Sequence, residues 1–210
     1  MTPQETLVYI AQLMFTRRLT DMAGGNISLR VGDTVYLSPR YAGSKQHWKI
    51  STDDIISGPI ATQELFSHPR FSREGKAHLG LYRTFAEDEV AGCIHAHPFH
   101  ILPFCVAEKP MDAVLESTQK FGTVEVVKGA PAHSQVLADQ IIAAMLQKRG
   151  AIAKQAGAVL LPRHGIFIAG KDIFHAVDAL ERLDWQAYCL LAQGNLPKQS
   201  IGYQSLEERA

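Results

Sequence analysis

The sequence is poor in the features that mark several common classes of protein. Its 210 residues include only three cysteines, and 21 basic side chains balance 21 acidic ones, so the formal net charge is zero. Three widely spaced cysteines argue against a disulfide framework and against a CxxC metal site. A neutral chain without a lysine or arginine run lacks the charge pattern of proteins that bind nucleic acids or anionic membranes. We therefore expect no nucleic acid and no membrane among its partners.

Long apolar runs are also missing. No stretch approaches the roughly 18 apolar residues of a membrane-spanning helix, and the first residues lack the basic and apolar regions of a secretory signal peptide. We therefore expect a cytoplasmic protein. Because apolar residues make up 46% of the chain and no repeat or linker divides it, we expect a single domain over residues 1–210.

The hydrophobic periodicity predicts helices that alternate with groups of strands. Thr2, Pro3 and Glu5 form the capping signature of a first helix. Further helices are predicted over residues 74–85, 135–148 and 172–191, and strands over 26–31, 34–38, 90–94, 124–127, 158–161 and 166–168. Residues 51–58 are predicted to form a polar connection. The pattern indicates an α/β or α+β sheet flanked by helices.

Nine histidines are more than surface positions explain, and two of them form the clearest local signal. His95 and His97 stand at the end of a predicted buried strand, and Pro98 follows them. Alternate residues of a strand point to the same face, so both imidazoles can reach one ion such as zinc. The alternative for an isolated pair of this kind is one buried, hydrogen-bonded histidine and one on the surface.

Two further residues make a metal site the better interpretation. His164 lies beside Gly165 between two apolar segments, which suits a third ligand. Glu74 begins a predicted helix, where its carboxylate suits a fourth ligand or a general base. Taken separately, His164 also fits a turn, and Glu74 also fits an acid favoured by the helix dipole. Together, three histidines and a carboxylate are typical of a catalytic zinc-type site with an exchangeable position.

Five short motifs, taken in order, resemble the class II aldolase/adducin family. They are Gly24-Gly25-Asn26-Ile27-Ser28, Ser38-Pro39, Ser72-Arg73-Glu74, His95-Ala96-His97 and Arg163-His164-Gly165. Each motif is weak alone, but their order and spacing agree from about residue 5 to residue 193. The family includes L-fuculose-1-phosphate aldolase, L-ribulose-5-phosphate 4-epimerase and methylthioribulose-1-phosphate dehydratase.

The resemblance implies a fold, an assembly and a set of site residues. The fold is a single α/β/α domain with a central, largely antiparallel sheet, followed by a tail over residues 194–210. The assembly is a homotetramer with active sites at the subunit interfaces. His95, His97 and His164 match the ligands of Zn²⁺ or another divalent transition metal ion. Glu74 matches the carboxylate that completes the metal shell and moves protons, and the Gly25 and Asn26 loop matches the one that holds the substrate phosphate.

The sequence differs from the family pattern at positions that bind the substrate. The aldolases usually have threonine and serine where this chain has Arg40 and Arg73, while Ser72 keeps its hydroxyl. Arginine binds phosphate and carboxylate equally well. The anion of the substrate is therefore left open between the two, and plain solvated charge is the alternative for both arginines.

The resemblance also suggests functional roles for two residues outside the predicted metal site. Glu116 falls near the place of an aldolase tyrosine that acts across the subunit interface, where the dehydratases have a glutamate. It is thus a candidate second acid or base, with a surface acid as the alternative. Tyr203 is a candidate for the tyrosine in the C-terminal tail of the aldolases.

The sequence thus predicts a metal-dependent lyase of carbohydrate metabolism that acts on a small phosphorylated or acidic sugar. A class II aldolase that cleaves a ketose phosphate through a metal-stabilised enediolate is the first interpretation. A sugar-phosphate dehydratase is the second, and an epimerase or decarboxylase remains open. The competing class is a non-catalytic, adducin-like assembly module.

Overall fold

A computed structural model describes residues 1–193, and six strands in this part of the chain form one sheet. The strands are β1 (Asn26–Val31), β2 (Thr34–Leu37), β3 (Ile56–Pro59), β4 (Gly92–Ala96), β5 (Ala156–Leu161) and β6 (Gly165–Gly170). Their order is β3-β2-β1-β4-β6-β5, and every neighbouring pair is antiparallel. The predicted α/β fold with a central antiparallel sheet is therefore confirmed. The proposed tail 194–210, with Tyr203, lies outside the described residues.

Six α-helices within residues 1–193 flank this sheet. They are α1 (Pro3–Thr16), α2 (Gly75–Thr84), α3 (Leu102–Ala107), α4 (Gln135–Leu146), α5 (Arg149–Lys154) and α6 (Ile173–Ala192). The predicted capping box of Thr2 and Glu5 starts α1, and the side chain of Asp172 caps α6. No helix in the described residues is both long and apolar enough to cross a membrane.

The two faces of the sheet bury separate apolar cores, because successive strand residues point to opposite sides. In β6, Ile166 and Ile168 pack into the core that α1 and α6 cover, whereas Phe167 and Ala169 pack into the core under α2 and α4. The domain is thus a three-layer α/β/α arrangement, with β1, β4 and β6 in the middle of the sheet.

Two predicted segments differ from the structure. Residues 51–58 are not only a polar connection, because Ile56 is buried and begins the edge strand β3. Residues 124–127 do not form a strand: Val124 forms an antiparallel bridge with Met111, and Val126 forms a parallel bridge with Leu160. Since the two bridges use different partners, no continuous ladder forms there.

Candidate metal centre and active site

The carboxyl end of β4 and the turn between β5 and β6 bring three histidines together. His95 is the fourth residue of β4, His97 follows the strand, and His164 lies in the turn immediately before β6. One ring nitrogen of each histidine lies within 4.8 Å of those of the other two. Because β4 and β6 are antiparallel neighbours, the end of one strand lies beside the start of the other. This pairing joins residues that are about 70 positions apart in the sequence.

Hydrogen bonds fix the proton positions on two of these rings. His95 Nδ1 lies 3.0 Å from the main-chain oxygen of Ile166, and His97 Nδ1 lies 3.0 Å from Asp21 Oδ1. Both oxygens only accept, so each ring in its neutral form carries its hydrogen on Nδ1 and has a lone pair on Nε2. The two Nε2 atoms face each other at 3.2 Å. Two lone pairs at this distance repel unless a cation lies beside both, so the arrangement fits a metal ion.

Burial keeps the imidazoles of His95 and His164 neutral, which is the form that binds metal. Burial, together with His164 and His97 nearby, lowers the pKa of His95 well below its ordinary value. Burial and the neighbouring His97 and His133 lower the pKa of His164 to about 4. Near pH 7 each of these two rings therefore offers an unprotonated nitrogen, and neither carries a positive charge that would repel a metal ion.

Glu74 lies beside the histidine cluster at the start of α2, and its side chain is 5% exposed. Its Oε1 atom lies 3.7 Å from His164 Nε2 and 3.3 Å from His133 Nδ1, but neither contact has hydrogen-bond geometry. Oε1 is therefore a buried oxygen without a hydrogen-bond partner. Burial raises the pKa of Glu74, although a hydrogen bond from the His133 main chain and the charges of His97 and Arg73 partly offset this effect. Such an oxygen suits a metal ligand or a proton acceptor.

A cavity of about 180 Å³ opens onto these groups. The predicted ligands and substrate residues all contribute to its wall: Gly25, Asn26, Arg40, Ser72, Arg73, Glu74, His95, His97 and His164. A larger cavity of about 670 Å³ lies next to it and also includes His97, but its lining lacks the other two histidines and Glu74. The smaller cavity is therefore the candidate active site.

The loop before β1 brings the main chain close to the metal centre. Gly25 has a φ of +112°, and a Cβ atom there would lie 2.8 Å from Thr20 Oγ1 and 3.0 Å from the His95 carbonyl oxygen. Only glycine tolerates both the positive φ and this close approach. Asn26, the next residue, pairs directly with His95 in the β1–β4 register. The loop therefore places the Asn26 side chain next to a predicted ligand.

The cationic side chains of Arg40 and Arg73 also line the cavity. The Arg40 guanidinium lies 4.6 Å from the centre of the Tyr41 ring, and Arg40 Nε is buried without a hydrogen-bond partner. Arg73 Nη1 lies 3.0 Å from His133 Nε2. Both side chains line the cavity and carry hydrogen-bond donors, which suits an anionic group on a ligand.

Two residues of the site have no motif in the sequence that marks them. Asp21 lies 76 positions from His97, and the only signal is its turn, in which Oδ1 accepts from the amides of Ala23 and Gly24. His133 contacts both Arg73 and Glu74, and the nearest signal in the sequence is Ser134, which caps α4 next to it.

Glu116 does not line the cavity of its own chain. It begins a short 3-10 helix, Glu116–Phe121, and it is exposed. A role for Glu116 in catalysis therefore requires that it reach the site of another subunit, and that role stays a prediction.

Comparisons with known proteins bear on the family and the fold of this chain. The sequence profile described as the class II aldolase and adducin N-terminal domain matches residues 5–191. An L-fuculose phosphate aldolase of Methanococcus maripaludis is 24% identical over 190 residues, which covers 90% of this chain and 96% of that protein. A methylthioribulose-1-phosphate dehydratase of Klebsiella pneumoniae is 28% identical over 178 residues, or 80% of this chain and 84% of that protein. The solved structure of an L-fuculose 1-phosphate aldolase superposes with a TM-score of 0.77 at 23% identity, covering 93% of this chain and 88% of the other.

Proposed function

Because the chain belongs to the class II aldolase and adducin family, we propose that it is a metal-dependent lyase that cleaves a small ketose phosphate or a related sugar acid. One observation carries the proposal: three clustered histidines, a buried carboxylate and donors for an anion meet in a single cavity. The relatives include both an aldolase and a dehydratase, and the aldolase reaction is our first choice.

The proposed metal ion is Zn²⁺, since three imidazole nitrogens are a usual zinc ligand set. His95, His97 and His164 would hold the ion, and Glu74 would complete the set. When bound, such an ion supplies a Lewis acid that polarises a substrate carbonyl and stabilises the negative charge that develops in the reaction. The lone pairs of His95 and His97 that face each other at 3.2 Å support this assignment.

Glu74 is the proposed group that moves the proton. In an aldol cleavage, the hydroxyl two carbons from the ketone loses its proton, and its oxygen forms a carbonyl as the carbon–carbon bond breaks. The electron pair of that bond stays on the carbon next to the ketone, and that carbon takes up a proton. Glu74 lines the same cavity as the histidines, and its Oε1 is buried and free of hydrogen bonds, which supports this role.

Asn26, Ser72, Arg40 and Arg73 are the proposed binding site for the anionic end of the substrate. An amide, a hydroxyl and two guanidinium groups are hydrogen-bond donors, and hydrogen bonds from guanidinium groups to an anion are charge-assisted. The unpartnered Arg40 Nε supports an anion at this wall. Glu116 is the proposed second acid or base, contributed across an interface, and it would favour the dehydratase alternative.

A homotetramer is the proposed assembly. An exposed apolar surface on α3 and α6, which we call the α3/α6 surface, supports contact between copies of the chain. It consists of Phe99, Leu102, Val106, Trp185, Tyr188 and Leu191, and most of these side chains are more than 40% exposed. An isolated chain rarely exposes so many large apolar side chains together.

Metal analysis separates this enzyme from a non-catalytic assembly module. We expect about one ion per chain in the purified protein, and its loss in His95→Ala or His164→Ala, because each change leaves too few ligands.

Glu74→Gln should retain the ion but lose turnover, since the amide keeps the shape and cannot take up the proton. A protein without metal after supply of Zn²⁺, or a fully active Glu74→Gln variant, would refute the proposed roles.

Product analysis over a panel of ketose phosphates and sugar acids distinguishes the reactions. An aldehyde together with a two- or three-carbon fragment supports the aldolase. A single product that has lost water supports the dehydratase, and in that case Glu116→Gln should abolish the reaction.

A further inference from the structure

A row of buried polar side chains runs from the candidate site into the core under α2. Asn26 and Ser28 lie on the α2-facing side of β1, and His78 and Tyr82 lie one helical turn apart on α2. All four are at most 3% exposed, and Asn26 is the member that lines the cavity. Buried polar groups are expensive unless they are hydrogen-bonded, so the arrangement of their hydrogens is strongly constrained.

The contacts define a continuous chain of hydrogen bonds. His78 Nε2 lies 2.5 Å from Asn26 Oδ1, and His78 Nδ1 lies 2.6 Å from Ser28 Oγ. Ser28 Oγ lies 2.8 Å from the Tyr82 hydroxyl. No carboxylate is in this chain of contacts.

Counting hydrogens fixes the direction of the chain. Burial lowers the pKa of His78 to about 3, so the ring is neutral and carries a single hydrogen. Because Asn26 Oδ1 accepts, that hydrogen lies on Nε2, and Nδ1 must accept from the Ser28 hydroxyl. The single Ser28 hydrogen is then used, so the Tyr82 hydroxyl donates to Ser28 Oγ. Each group thus donates once, in the direction from Tyr82 towards Asn26.

The direction decides which atom Asn26 offers to the cavity. With Oδ1 bound by His78, the NH₂ group of the amide remains for a ligand. The reversed direction would turn the carbonyl oxygen towards the ligand, where it would repel an anion between Arg40 and Arg73. We propose that Tyr82, Ser28 and His78 are positioning residues that hold the Asn26 amide with its NH₂ group towards the cavity and thereby favour an anionic ligand. This inference rests on the proposed function only in assuming that the ligand is an anion.

The ring hydrogen of His78 is directly measurable in the full-length protein. Nitrogen-15 NMR distinguishes the two neutral tautomers, and a His78→Gln spectrum identifies the His78 signals. We expect a neutral ring with its hydrogen on Nε2. A hydrogen on Nδ1, or a doubly protonated ring at pH 7, would overturn the proposed direction.

The effect on ligand binding is tested with inorganic phosphate and calorimetry. Ser28→Ala removes the donor to His78 and should weaken phosphate binding about tenfold, the scale of one hydrogen bond to a charged group. Ser28→Thr keeps the hydroxyl and should restore the affinity. Asn26→Asp keeps an acceptor for His78 but replaces the NH₂ group with oxygen, so it should abolish phosphate binding.

A merely structural role for the row predicts a different result. Ser28→Ala would then lower the melting temperature but leave the phosphate affinity of the folded protein unchanged, and this outcome would overturn the proposal. The absence of phosphate binding by the wild-type protein would also overturn it. If phosphate binds as expected but no sugar phosphate is cleaved, the positioning role of Tyr82, Ser28 and His78 is supported and the proposed lyase activity is refuted.

Discussion

The hydrogen on one imidazole nitrogen determines what the other nitrogen can do. Asp21 accepts from His97 Nδ1 and so leaves the His97 Nε2 lone pair towards the other ligands. Burial acts to raise the pKa of Asp21, but the hydrogen bond and charge of His97 and the amides of Gly24 and Ala23 outweigh it and lower that pKa. Asp21 therefore remains a carboxylate, which accepts and does not donate.

Replacing this carboxylate should weaken the metal site. In Asp21→Asn the amide NH₂ group competes to donate to His97 Nδ1, which would move the ring hydrogen to Nε2. We expect metal affinity to fall about 10- to 100-fold, the usual cost of losing such a partner, as measured by competition with a chelator. Asp184→Asn is the matched control, since Asp184 accepts from His100 Nδ1 at 2.8 Å without being part of the cavity around Glu74. Equal metal affinity in both variants would contradict the role of Asp21.

Single residues differ in how far the sequence reveals them. His95 and His97 are close in the chain and carry a pattern of their own, so their place in one histidine cluster was predictable. His78 and Asp21 act through partners 52 and 76 positions away. Their roles follow from strand register and helix rotation, which no local pattern contains.

The element that organises the site is β4, which pairs with β1 on one side and with β6 on the other. Its first residue, Gly92, lies directly under the start of α6. A Cβ atom at Gly92 would lie 2.3 Å from the main-chain nitrogen of Ile173 and 2.4 Å from the carbonyl carbon of Asp172. Because these are main-chain atoms, no side-chain rotation relieves the contact.

Gly92→Ala should therefore separate the helix from the strand. We expect the free energy of unfolding to fall by about 2–3 kcal/mol, as for other overpacked positions, and urea denaturation measures this change. In Gly150→Ala, the matched control, the new methyl group meets nothing within 4 Å, so stability should be unchanged or slightly higher. A Gly92→Ala midpoint equal to that of the wild type would show that α6 shifts at no cost.

Elements with a regular apolar pattern or a cap were predictable, whereas two segments whose structure depends on their pairing partners were not. The capping box of α1 and the long apolar face of α6 are contained in their own residues. By contrast, β3 is a four-residue edge strand that ends at Pro59, and its pairing with β2 makes it a strand. Residues 124–127 have strand composition but find two separate partners, and composition alone does not contain that difference.

At the scale of the whole molecule, the zero net charge of the chain is compatible with the proposed binding of an anion, because the donors are local. A chain of net charge zero has no long-range attraction for a sugar phosphate. Capture of the proposed anion therefore depends on local donors, and Arg40, Arg73 and Asn26 line one cavity together with the proposed metal ligands. The predicted acid Glu116 lies outside that cavity, so a single chain provides only part of the machinery that the family resemblance implies.

Assembly would complete that machinery, and the α3/α6 surface allows a direct test. Sedimentation should give the wild-type protein a mass of about four times 23.1 kDa. Val106→Glu places a charge on this surface and should reduce the mass and the activity together, because burying an unpaired carboxylate is costly. Val136→Glu is the matched control: Val106 is 66% exposed and Val136 is 57% exposed, but Val136 lies on α4, away from the surface. Since neither valine is needed to fold one chain, a tetrameric Val106→Glu protein would mean that subunits meet through some other face.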